Sequence, residues 1–184
     1  NMKNSYARSQ IVIHWLVLIL IVVAYAAINL KGFAAKGSPE RATMSLIHYT
    51  AGFSVLFLMV IRVVLKMRNS DPDILPAPPR WQVIASKSLH GLLYLMFIAL
   101  PVLGVASLWF GQVAWSFFGL PLPVAATQNV GMQHSLKELH EIIANAGYYL
   151  IGLHAAAALF HHYVVRDNTL ERMLPAMRVK KSVK

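Results

Sequence analysis

Four runs of the chain are apolar around their whole circumference: approximately residues 11–30, 45–65, 84–110 and 142–165. A helix that crosses a bilayer needs about 20 mostly apolar residues, and each run is long enough. A soluble helix alternates an apolar stripe with a charged face. Residues 55–64, VLFLMVIRVV, and residues 92–108 carry no such face, which argues against a soluble four-helix bundle. The pattern predicts an all-α integral membrane protein, a four-helix transmembrane bundle in one domain over residues 1–184. The polar segments between the runs are short. Residues 68–80, RNSDPDILPAPPR, read as extended Pro-rich coil. Residues 111–134 form the longest connection, in which Trp115, Phe117 and Phe118 suit an aromatic belt at the membrane interface. Pro101 predicts a kink in the third helix.

Composition strengthens this picture. Of 184 residues, 57% are hydrophobic and 13% charged, against roughly a quarter charged in soluble domains. The first run has Lys3 and Arg8 before it and a small-residue stretch, Ala24-Tyr25-Ala26, late in it. That resembles a secretory signal peptide, but we read the run as a retained first helix. The formal net charge of +10 is explained by topology rather than by nucleic acid. With an even number of spans both termini share a side. That side and the loop between the second and third helices hold 13 of the 17 Lys and Arg: Lys3, Arg8, Arg62, Lys66, Arg68, Arg80, Lys87, Arg166, Arg172, Arg178, Lys180, Lys181 and Lys184. Basic loops face the cytoplasm, so both termini are expected there. Lys31, Lys36, Arg41 and Lys137 fall on the outer side. No nucleic-acid motif or phosphate loop is present.

The chemistry lies in the histidines. Residues 140–162, HEIIANAGYYLIGLHAAAALFHH, hold four of the eight, and intramembrane ionisable residues are costly and usually functional. His140 and His154 are 14 residues apart. At about 100° and 1.5 Å per residue they share a face roughly 21 Å apart along the axis. Gly147 and Ala144 between them, with Ala155 and Ala158 below, would let something flat and bulky approach that face. His48 matches the outer depth of His140, and His14 the inner depth of His154. Two imidazoles at each of two levels suit two haems held between facing helices. His90, near the cytoplasmic end of the third helix, is the alternative to His14. His161 lies on the same face deeper in and is a candidate contact for a quinone or a haem propionate, or an interfacial residue. His162 points elsewhere, and His134 is expected in solvent on the outer loop. The chain has no cysteine, which excludes thiolate-ligated haem, covalent haem attachment through CxxCH and cysteine-ligated iron–sulfur clusters. A metal-ion transporter would want carboxylates within the spans, where only Glu141 comes close.

The segments QIVIHW (10–15), LIHYTAGFSVLFLMVIRVVLK (46–66), FIALPVLG (97–104), GYYLIGLHAAAALFHHY (147–163) and RDNTLERMLP (166–175) resemble the bacterial cytochrome b561 family over almost the whole chain. The resemblance implies two non-covalent b haems ligated by His14, His48, His140 and His154. It is closest to the branch containing superoxide oxidase, which implies superoxide as electron donor and ubiquinone as acceptor. Lys31, Lys36, Arg41 and Lys137 are then candidates for steering the anion, set against ordinary loop charges partly offset by Glu40, Glu138 and Glu141. The competing function is an electron-carrying cytochrome b subunit of a respiratory dehydrogenase or hydrogenase. Short loops and a short tail favour a protein with no obligate protein partner, and the histidine register argues against a purely structural role.

Overall fold

A computed structural model describes residues 5–175. Lys3, Arg178, Lys180, Lys181 and Lys184 of the charge pattern lie outside the described residues. Four long helices dominate: α1 (Arg8–Leu30), α2 (Pro39–Arg68), α3 (Arg80–Phe110) and α4 (Val130–Phe160), the last continuing as a π-helical turn, His161–Val165. All four are long and apolar enough to cross a membrane. A two-residue-per-strand hairpin, β1 (Ser116–Phe117) and β2 (Leu120–Pro121), interrupts the connection between α3 and α4.

The helices start earlier than the apolar runs, and local chemistry explains why. At α2 the Ser38 hydroxyl accepts from the Arg41 N–H at 3.2 Å, with Pro39 at the first helical position and Glu40 in the first turn. These are helix-starting features on residues too polar to register in a hydropathy pattern. At α4 the Asn129 side chain accepts from the Met132 N–H at 2.9 Å, so the helix begins at Val130 rather than near 142. His134 consequently sits on α4, not in a loop. It is exposed there, 3.9 Å from Glu138.

Successive helices run antiparallel. α1 packs on α2, α2 on α3, and α3 on α4. α4 lies against α3 and meets α1 and α2 through side chains, and Gly147 is its one buried residue among those described. The apolar core sits midway along the bundle, formed by Val17, Val55, Met59, Met96, Phe97 and Leu100. Outward faces remain apolar, with Val12, Ile19, Phe57, Leu95 and Leu153 all exposed, as lipid contact requires.

Each end is closed by its own connections. At the hairpin end, Trp115 is buried and packs on Tyr49 and Phe53, with ring centroids 5.8 and 5.9 Å away; Phe117 meets Phe53 at 4.9 Å. Of the three aromatics expected at a membrane belt, only Phe118 points outward, 81% exposed. The other two are drawn onto α2. At the terminal end, the segment after α4 ties the chain together. Trp15 Nε1 donates to the Met173 carbonyl at 2.9 Å, Tyr6 N to Arg172 O at 3.1 Å, and Leu75 N to Asn168 Oδ1 at 2.8 Å. Arg172 is buried, donates to the Pro72 carbonyl and lies 5.5 Å from the Tyr6 ring centroid.

Candidate functional site

Five of the eight histidines gather at two levels of the bundle. At the hairpin end, His48 of α2 and His140 of α4 have ring centroids 6.1 Å apart. At the terminal end, His14 of α1 and His154 of α4 are 6.2 Å apart, and His90 of α3 lies 5.4 Å from His154. The helix directions produce this register: α1 brings His14 near its start, α2 brings His48 in its first third, and α4 carries one member of each pair.

The hairpin-end pair is positioned by backbone. His48 Nδ1 lies 2.8 Å from the Ala24 carbonyl, and His140 Nδ1 lies 2.7 Å from the Leu100 carbonyl. A carbonyl only accepts, so each Nδ1 carries the proton and each Nε2 keeps its lone pair free. That is how proteins orient a histidine for a metal. Gly104 of α3 leaves room for His140: a Cβ there would come within 3.4 Å of Cε1. A cavity of about 500 Å³ opens beside this pair, bordered by Tyr49, Gly52, Phe53, Trp115, Lys31 and Lys137.

An iron bound between two imidazoles requires ring centroids roughly 6.2 Å apart, twice the sum of a metal–nitrogen bond of about 2 Å and a ring radius of about 1.1 Å. Both principal pairs meet that requirement. The His90–His154 separation falls short of it. Together with the carbonyl-held Nδ1 atoms of His48 and His140, these separations make the paired histidines fit b haem.

Gly147 does something different from what its position on the histidine face suggests. A Cβ there would lie 2.5 Å from Tyr25 Oη and 3.3 Å from the Met96 sulfur and methyl. Tyr25 Oη donates to the Ala144 carbonyl at 2.7 Å. Tyr25 also packs on Tyr148 at 4.7 Å, whose hydroxyl accepts from Asn29 Nδ2 at 2.9 Å. Gly147 therefore admits protein side chains. They form a septum between the two levels, where the sequence suggested an open face for a flat group.

Two relationships were not visible in the sequence. Arg62, half-buried on α2, places Nη2 3.3 Å from His14 Nδ1 and its guanidinium carbon 5.1 Å from the Tyr94 ring centroid. His161 Nδ1 lies 2.5 Å from Asp167 Oδ2, and the Asp167 side chain is fully buried. Burial pushes the Asp167 carboxyl up, but hydrogen bonds from His161 and Thr169 outweigh it and hold the group below the usual carboxylate range. Arg166 between them takes the left-handed conformation (φ 59°) that turns the chain out of the π-helical turn. π-helical turns concentrate at functional sites.

The four basic residues expected on the outer side differ in placement. Lys31 and Lys137 border the cavity, and Lys137 is 3.7 Å from Glu141. Arg41 gives its Nη1 to the Lys31 and Ala34 carbonyls at 2.9 and 3.2 Å, capping the end of α1. Lys36 is exposed on the loop between α1 and α2. His162 meets Tyr163 at 4.8 Å, away from the paired histidines.

Residues 5–176 match the family model described as prokaryotic cytochrome b561. The chain is 44% identical over 172 residues to cytochrome b561 homolog 1 of Escherichia coli (strain K12), covering 94% of this chain and 98% of that one. It is 42% identical over 177 residues to a protein of Yersinia pestis named probable superoxide oxidase CybB, covering 96% and 99%. Cytochrome b562 of Cereibacter sphaeroides is 29% identical over 176 residues, covering 94% and 96%.

Proposed function

Because the chain belongs to the prokaryotic cytochrome b561 family of membrane electron-transfer proteins that bind b haems, we propose that it is a superoxide oxidase passing electrons through two haems to ubiquinone. It is a multi-pass bacterial membrane protein, and the excess of basic residues at the terminal end supports a cytoplasmic placement of that end. Two superoxide anions each give up one electron and leave as dioxygen. One ubiquinone takes up both electrons and two protons and leaves as ubiquinol. When bound, the b haems supply the one-electron chemistry of this exchange.

The residues divide the remaining work. His48 and His140 hold one haem at the hairpin end, and His14 and His154 hold the other at the terminal end. Two imidazoles per iron leave no open position, which suits electron transfer rather than oxygen binding. Lys31 and Lys137 draw the anion to the cavity. The apolar core and the Tyr25–Met96–Gly147 septum exclude water between the levels. His161, braced by buried Asp167 at 2.5 Å, is the candidate quinone contact. The matched 6.1 and 6.2 Å pairs carry this reading, and the name of the Yersinia pestis relative bears on the donor.

The test is stopped-flow mixing of purified, oxidised, haem-loaded protein with superoxide, with and without ubiquinone. Rapid appearance of the reduced b-haem bands, discharged by quinone, is expected. Bands that stay oxidised under excess superoxide would overturn the assignment and favour a carrier subunit of a dehydrogenase or hydrogenase.

A further inference from the structure

Arg62 is a half-buried cation of α2 with no carboxylate partner among the described residues. Such a residue within a spanning helix is expensive and marks function more often than packing. Among the described residues no carboxylate pairs with it. All seven acidic residues of the sequence are described, and the ion pairs they form involve Lys66, His134, Lys137 and His161 instead. What Arg62 does meet is the terminal-end histidine set, at 3.3 Å from His14 Nδ1, and the face of Tyr94 at 5.1 Å. The aromatic face holds a cation without neutralising it.

The hairpin-end level is built differently. His48 and His140 both donate to main-chain carbonyls, at 2.8 and 2.7 Å. A carbonyl acceptor on the far nitrogen makes an imidazole a more electron-rich ligand. The cations near that level, Lys31 and Lys137, border the cavity, and Lys137 is exposed and 3.7 Å from Glu141. Water and salt screen exposed charges, while a charge inside a low-dielectric bundle acts with much less screening.

We propose that Arg62 sets the direction of electron flow, its charge beside His14 raising the reduction potential of the terminal-end haem above that of the carbonyl-braced haem at the hairpin end. Adding an electron to a site lowers its charge by one, so a fixed cation nearby favours the reduced form. The asymmetry makes transfer downhill from the hairpin end, where the donor arrives, to the terminal end. This inference rests on the histidine pairs proposed above as haem ligands. Arg62 touches no substrate in this account; it acts through its field as a positioning residue.

Potentiometric titration of haem-loaded R62Q and R62K, followed by the b-haem bands, tests it. The component missing from H154A identifies the terminal-end haem. In R62Q both haems should remain. The terminal-end midpoint should fall by an amount equivalent to about tenfold in the one-electron equilibrium, 59 mV, with a smaller change at the other haem. R62K, which keeps the charge, should recover most of the loss. A role confined to packing on Tyr94 would lower thermal stability and leave both midpoints in place, and that result would overturn the proposal. So would a fall confined to the hairpin-end haem. If R62Q retains only one haem, R62K decides: a terminal-end midpoint still above the other supports the proposal, and one equal to or below it overturns it. The ligand reading is checked separately by haem count in H14A and H154A, so its failure is distinguishable from that of Arg62.

Discussion

A histidine inside a membrane bundle is informative only with its partner and its acceptor. The residue types and depths of His14, His48, His140 and His154 were legible in the sequence, because helix direction and rise fix depth. Their surroundings were not. Nothing in the residue order indicates that His48 would find the Ala24 carbonyl, His140 the Leu100 carbonyl, and His14 the Arg62 guanidinium. Asp167, six positions beyond His161, was hidden because the chain reverses through Arg166 before the two meet. The account predicts selective loss. His48→Ala or His140→Ala should remove the hairpin-end haem and leave much of the other. His14→Ala or His154→Ala should do the reverse. His90→Ala should keep both, because its 5.4 Å separation from His154 is too short for an intervening iron. Absorbance of the two haem components in each purified variant is the check; loss of a haem in His90→Ala with none lost in His14→Ala would reverse the terminal-end assignment.

Helix existence was legible in the hydropathy pattern, and helix ends were not. Apolar runs mark the part of a helix that meets lipid. The polar first turns of α2 and α4 depend on Ser38 and Asn129 caps, which hydropathy does not weigh. The same limit applies to Trp115 and Phe117, whose aromatic character suited the interface but whose rings pack on α2. Gly147 shows how an element's face can be misread: small residues mark a close approach without identifying what approaches. Gly147→Val should collide with Tyr25 and Met96, which line the septum. Overpacking of this kind costs about 1–3 kcal/mol. Thermal unfolding should occur several degrees lower, and the electron should pass between haems more slowly if the two levels are pushed apart. An unchanged melting temperature would show that Tyr25 can swing away freely.

For the molecule as a whole, the sign and distribution of charge were readable before any fold. The cavity lining narrows the four cations expected on the outer side to two. Lys31 and Lys137 border it, whereas Arg41 spends its guanidinium on the carbonyls at the end of α1. Neutralising Lys31 and Lys137 together should slow haem reduction by superoxide by up to about tenfold at low salt. The difference should vanish as salt shortens the screening length below about 10 Å, and reduction by ubiquinol should hardly change. Equal rates for variant and parent at low ionic strength would remove these lysines from the account. Everything above depends on the two histidine levels being two cofactor sites. Haem stoichiometry tests that most directly: purified protein assayed as the pyridine haemochrome should contain two b haems per chain, all extractable into acidified acetone, and a value of one per chain, or haem that stays with the protein, would contradict it.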